Sequence, residues 1–383
     1  MRSYSPLLIA FLLIMSRAGA QSVQFHGEAS LWGGGNNTSS ANNWFYGIRY
    51  LPELYLHSAI SGLQLDADLS VNAFYNGQFE EIEHIDEDGN HDGKVKAYRV
   101  WARLATRQFE ARLGLQKINF GAAALFRPLM WFDEIDPRDP LQITDGVYAL
   151  LMRYYFLNNA NIWLWGLYGN DNPKGWEIHP TKEKTPEFGG RIQYPVSAGE
   201  LGLSYHHRRL VLNPNIFPVA LFGEQDSEEN RFGIDGRWDI EIGFWGELVL
   251  SRQDNRLLPY RWRRLANVGA DYTLELGNGI HVLGEHFISE ESKDALGNGT
   301  GYSLSAVSAD YPLGVVDNVQ GIFYYNWENE EWYRFLNWRR VYDHWTFFLM
   351  LFWNPDQVFT ISNQSTVNNL AGKGIQIMLV FNH

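Results

Sequence analysis

Charged side chains at every second residue are the first chemistry to stand out. Across residues 97–116, AYRVWARLATRQFEARLGLQ, Arg99, Arg103, Glu110 and Arg112 alternate with Tyr98, Val100, Leu104, Leu113 and Leu115, apart from a break near Arg107. A period of two belongs to a strand with one polar and one apolar face. The same alternation puts Asp66, Asp68, Asp235, Arg237, Glu247 and Asp271 on the polar faces of other strands. A wall of mixed guanidinium and carboxylate groups can orient a passing polar solute. The competing reading is that these groups pair with one another and only make the wall wettable.

Two other constellations could do chemistry. Ser204 and His206 share a strand face in LGLSYHHRRL, residues 201–210, and Glu285-His286 lies on a later strand. A nucleophile and a base need a third group to orient them, and none can be named, so no catalytic site is assigned and the chain is read as a non-enzyme. In residues 86–93, Asp86, Asp88, Asn90 and Asp92 alternate as oxygen ligands of a hard cation would. An EF-hand would need Gly where His91 stands and Glu where Ala97 stands, so Ca2+ is the alternative to a solvated acidic loop. No other cofactor is implied.

The elements that must position these residues follow from bulk properties. Residues 1–20 carry Arg2, an apolar run from Leu7 to Met15 and the small residues Ala18, Gly19 and Ala20, and read as a secretory signal peptide. Removing it takes the formal charge from −13 to −15, which argues against nucleic acid as a partner. There is no cysteine, so neither a disulfide framework nor a thiolate metal site is available. Aromatics make up 15% of the chain, yet its longest largely apolar stretch past the leader, WTFFLMLFW at 345–353, has nine residues, Thr346 among them. That is too short for a spanning helix and about right for a spanning strand.

Period-two segments recur eighteen times, near residues 23–33, 50–59, 62–76, 94–106, 108–120, 146–157, 160–170, 187–195, 200–208, 229–239, 241–252, 263–275, 279–289, 300–312, 316–327, 331–340, 344–354 and 372–382. Links after odd strands are mostly long and polar, those after even strands mostly tight; the short link near Glu328 is the exception. Such sorting is what an up-and-down barrel with one short-turn rim produces. The expected fold is therefore all-β: a transmembrane antiparallel barrel of about eighteen strands, sixteen being the other count considered, with residues 21–383 as one domain. In lipid only a closed barrel pairs every strand backbone group, so the apolar face meets hydrocarbon and the charged face lines the inside.

One link breaks the rule that links are polar. Residues 121–132, GAAALFRPLMWF, lead into DEIDPRDP at 133–140. An apolar stretch needs a surface to bury against, so segment 121–145 is expected to fold inward, with Arg127, Asp133, Glu134, Asp136 and Arg138 at a constriction. An outer cap or a subunit contact is the alternative. Trp44, Phe45, Tyr154, Tyr155, Trp163, Trp165 and Trp345 are expected to form interfacial girdles. Residues 376–381, QIMLVF, resemble the closing strand that outer-membrane insertion machinery recognises, although Asn382 and His383 follow the aromatic.

Arg112-x-Gly114-x-Gln116 followed by Asn119-Phe120-Gly121, and then the stretch from Asp133 to Pro140, resembles the corresponding strand and segment of porin-like outer-membrane β-barrel channels related to the alginate-export family. The resemblance implies a barrel of eighteen or a similar number of strands that passes small solutes or anionic polymers. The reading reached is a Gram-negative outer-membrane channel for passive transport of small hydrophilic solutes, among them anions and sugars. Outer-membrane lipid and a homo-oligomer are its expected partners. Alternatives are a polysaccharide export channel, a barrel-borne hydrolase and a water-soluble carbohydrate-binding β-protein.

Overall fold

The computed structural model describes residues 22–82, 85–86, 90–213, 226–255, 258–357 and 370–383. The expected signal peptide lies outside them.

Eighteen strands form one closed antiparallel barrel. The first six are β1 (Ser22–Asn37), β2 (Asn42–Ile60), β3 (Leu63–Ile82), β4 (Asn90–Ala105), β5 (Phe109–Gln116) and β6 (Val147–Tyr155). They continue with β7 (Asn161–Tyr168), β8 (Pro186–Val196), β9 (Gly199–Val211), β10 (Asp226–Asp239), β11 (Gly243–Gln253) and β12 (Trp262–Leu274). The last six are β13 (Ile280–Ser292), β14 (Thr300–Pro312), β15 (Asp317–Asn326), β16 (Glu331–Val341), β17 (Trp345–Trp353) and β18 (Lys373–Asn382). A two-residue piece, Ile85–Asp86, pairs with the end of β3. No α-helix occurs among the described residues.

Each strand pairs with its sequence neighbours, and closure is between the ends of the chain. Leu31 pairs with Ile48 of β2 on one side and Leu379 of β18 on the other. Gly27 and His383 exchange backbone hydrogen bonds of 3.2 and 3.0 Å. No free edge is left along the ring, which is what a lipid-facing sheet requires.

All eighteen period-two windows overlap an observed strand. The largest departure is at residues 34–49 and 77–93, expected to be mostly loop. There β1 to β4 continue past the hydrocarbon as long hairpins, and the β1–β2 link shrinks to residues 38–41, closed by Thr38 N–H donating to the Ala41 carbonyl at 2.9 Å. A strand of 20 residues, such as β3, is far longer than an apolar band of roughly 25 Å needs at about 3.3 Å per residue. Its outer end therefore stands in water, and polar residues there carry no membrane cost.

The outer face carries the exposed apolar side chains, for example Ile192, Leu203, Phe232, Ile234 and Leu248. The apolar core lies inside the barrel. Leu125, Phe126, Leu129, Met130, Trp131 and Phe132 pack there against Trp165, Val249, Leu265, Phe287, Leu304 and Tyr324 of the wall.

Candidate functional site

Segment 121–145 is held to the inner wall by two carboxylates. Glu247 on β11 accepts the backbone N–H groups of Ala122, Ala123 and Leu129 at 2.6, 2.7 and 3.2 Å. Glu285 on β13 accepts those of Ala124, Leu125 and Phe126 at 2.6, 3.1 and 3.0 Å, and the Trp245 indole N–H at 3.1 Å. A segment without regular secondary structure exposes backbone donors, and a buried donor without a partner costs about 1–3 kcal/mol. The two glutamates satisfy six of them. Gly121 makes the approach feasible: its φ is +95°, and a Cβ there would lie 2.5 Å from Glu247 Oε1.

Packing adds to the hold. Phe126 stacks on Phe287 at 5.3 Å between centroids and meets Tyr324 edge-on at 5.7 Å. Phe132 meets Trp165 edge-on at 5.4 Å. Each of the six large apolar residues of this stretch is at most 4% exposed. At roughly 1.5–3 kcal/mol per side chain, burial favours the inward position by on the order of 10 kcal/mol.

The proposed constriction residues divide into pairs. Arg127 donates to Asp133 at 2.9 Å. Arg138 and Asp136 form a buried bidentate pair at 2.8 and 2.6 Å, the guanidinium lying 5.7 Å from the Phe335 ring centroid. Glu134 is different. Its backbone N–H donates to Thr144 Oγ1 at 2.7 Å, while its carboxyl lines a cavity and has no ion pair among the described residues. Burial, with Asp145 nearby, raises its pKa to about 7.

A second inward loop was not anticipated. Residues 169–185, which read as a plain polar link, pack beside segment 121–145. The Trp176 indole donates to the Arg127 carbonyl at 3.0 Å, and its ring stacks on Phe287 at 5.0 Å. Glu177 pairs with Arg208 and Arg231 of the wall at 2.9 and 2.7 Å, and Arg208 also pairs with Glu229 at 2.9 Å. Lys174 reaches Glu187 at 3.2 Å. Trp176 and the Lys174/Glu177 spacing were the available signals, but their partners lie up to 111 residues away.

Strand registers put all ten sequence-assigned wall residues on the inner face, in two environments. Asp66, Asp68, Arg99, Glu110, Asp235 and Glu247 are buried. Asp66 accepts from Tyr55 at 2.8 Å and Arg103 at 2.8 Å, and lies 2.7 Å from His57 Nδ1. Arg191 holds Asp235 bidentately at 2.6 and 2.7 Å. Arg103, Arg112, Arg237 and Asp271 keep part of their side chains open to the interior. Arg103, Arg112 and Arg153 surround Glu110 at 3.7, 3.1 and 4.0 Å.

Several expectations need correction. Phe45 and Trp165 are buried on the inner face, Trp163 also points inward beneath the Arg153 guanidinium at 3.8 Å, and Tyr155 shares the face of Arg153, so these four leave the girdles. Trp44, Tyr154 and Trp345 remain exposed. Ser204 accepts from Arg191 at 3.0 Å, whereas His206 Nε2 lies 3.1 Å from Glu187 and its Nδ1 accepts from the Trp165 indole at 3.1 Å. No Ser–His hydrogen bond forms, and both side chains are buried. Of the cation candidates, Asp88 and the side chain of Asp86 lie outside the described residues, and Asn90 and Asp92 line the cavity.

That cavity has a volume of about 880 Å³ and lies between β1 to β4, segment 121–145 and the start of loop 169–185. Lys96 lines it and pairs with Asp145 at 2.6 Å. Simple alternation misplaces Lys96, since it puts residues of even number on the apolar face of this strand. A bulge at Tyr98, where the register shifts between Ser70 and Val71, turns it inward.

No protein-family model matches the chain, and no curated protein matches it. Solved structures do. An anion-selective porin from Comamonas acidovorans aligns over 94% of this chain and 99% of its own, at 12% identity and a TM-score of 0.52. OccK7 (OpdD) of Pseudomonas aeruginosa aligns over 95% and 99%, at 9% identity and 0.57. A loop-deletion mutant of OmpT, an outer membrane protein of Vibrio cholerae, aligns over 94% and 99%, at 10% identity and 0.52. At such identities the likeness is one of fold: the chain has the closed barrel architecture of porins.

Proposed function

We propose that this chain is a passive outer-membrane channel for small hydrophilic solutes. The observation that carries the reading is the lumen itself, closed off from lipid, narrowed by segment 121–145 and loop 169–185, and left with charged side chains facing the remaining space. Arg103, Arg112 and Arg153 share Asp66 and Glu110, which leaves an excess of one positive charge on that part of the wall. The porin architecture of the structural relatives and the apolar outer face support the outer-membrane setting. Polymer export, the finer sense of the alginate-export resemblance, would require a clear lumen, and the clamps at Glu247 and Glu285 work against one.

Planar-bilayer recording on the purified protein tests the proposal. The expected result is steady ion current with a reversal potential in a salt gradient that reports modest anion preference. Absence of current in a protein that has inserted would overturn it.

A further inference from the structure

The cavity of about 880 Å³ contains polar groups that the described residues leave without partners. Asn72 is 2% exposed, and its carboxamide oxygen is reached by no donor. Arg49 has a buried Nε with no acceptor, while its guanidinium sits 5.2 Å from the Trp32 ring centroid and 6.0 Å from that of Phe74. A buried polar atom without a partner is expensive and calls for an explanation. Ligand completion is one, because both side chains line this cavity.

The lining indicates the ligand's chemistry. Five residues with carboxamides, Asn72, Asn76, Gln78, Asn90 and Asn172, line it, while a sixth, Asn170, spends its amide on the backbone of Tyr148. Each amide offers donors and an acceptor on one plane, which suits adjacent hydroxyl groups that both donate and accept. Trp32, Phe74 and Phe132 supply ring surface for the C–H side of a ligand. Charge speaks against a polyanion. Lys96 is neutralised by Asp145 and Lys174 by Glu187. Among the described residues Arg49 is therefore the lining cation without an ion pair, and three further carboxylates, Asp92, Glu134 and Asp171, line the cavity with it.

We propose that this vestibule is a binding site for a neutral mono- or disaccharide, with hydroxyl groups completing Asn72 and Arg49 and the sugar's C–H face on Phe74 and Trp32. The inference rests on the channel reading, because the site is reached through the same lumen. Its volume lies within the range of small-molecule sites.

The test is single-channel recording with glucose or maltose on the wild type, with sodium gluconate as the charged comparison, and calorimetric titration of the same sugars in detergent. The sugars should interrupt the current and bind calorimetrically, and gluconate should do neither better. Asn72→Leu should weaken sugar binding about tenfold, equivalent to about 1.4 kcal/mol, with ion conductance retained. Phe74→Ala is a second variant in case Asn72→Leu does not fold, and should show the same loss. Gluconate binding without sugar binding, no binding of either, or unaltered sugar binding in both variants overturns the site. Sugar binding in the absence of any ion current would sustain the site and overturn the channel reading, so the two failures are distinguishable.

Discussion

Replacing Glu285 by alanine removes the acceptor for the backbone N–H groups of Ala124, Leu125 and Phe126 and for the Trp245 indole. A hydrogen bond to a charged group contributes roughly 1.5–3 kcal/mol net, so the three segment bonds together set an upper bound of about 9 kcal/mol. Water entering the space vacated by the carboxylate restores part of this, and a net loss of about 3 kcal/mol is the working figure. At 1.4 kcal/mol per decade, that raises the fraction of time this stretch spends off the wall by roughly a hundredfold. Phe126 remains stacked on Phe287, and the Glu247 clamp is intact, so the segment should loosen locally without leaving the lumen. Hydrogen exchange of amides 122–129 should show faster exchange at 124–126, and single-channel records should gain open-channel noise. Glu247→Ala combined with Glu285→Ala should raise mean conductance as well. Unchanged protection at 124–126 in Glu285→Ala, together with unchanged conductance in the double variant, would refute the assignment of these carboxylates as the holders of the constriction.

Other variants probe separate parts of the lumen. Glu134 has a pKa of about 7, above the ordinary 4.5, so protonation favours the folded state; its stabilising contribution is complete below the ordinary value and is lost as pH rises through about 7. Raising pH through that point should therefore add negative charge to the vestibule and move the reversal potential toward cation preference, a shift that Glu134→Gln should abolish. Arg208→Met leaves the buried Glu177 and Glu229 with Arg231 as their one remaining shared cation among the described residues, and should cost about 3 kcal/mol, seen as a lower temperature for the heat-modifiable shift in electrophoretic mobility. At Gly175, φ is +50° and a Cβ would lie 1.7 Å from the Met130 carbonyl oxygen. Gly175→Ala should therefore force loop 169–185 away from segment 121–145 at a cost of roughly 1–3 kcal/mol, with the Trp176 fluorescence maximum moving to longer wavelength.

The barrel was legible in the sequence because its causes are local. Alternation along residues 62–76 or 263–275 reports two faces directly, and a sheet that meets lipid with one of them must close. Link lengths sorted the rims, and the apolar residues 121–132 marked a link that water would not hold. The residue-level site was less legible. Lys96 changes face through the single extra residue at Tyr98, a displacement that alternation cannot register. Trp163 and Trp165 look like girdle residues by type, yet face Arg153 and the folded-in segment.

The sequence alone determined the period, the number of strands to within two and which face of most of them is apolar, since each depends on neighbours two residues apart or on one turn. Tertiary structure alone decided which inner-face charges meet water and which meet the folded-in segments. Glu247 reads as a wall carboxylate like any other, and Glu285 as one half of a Glu-His pair with no assigned role, until segment 121–145 presents its amides to them from more than 100 residues away. Burial and pairing across a lumen depend on which surfaces closure brings opposite one another, and no stretch of chain carries that information by itself.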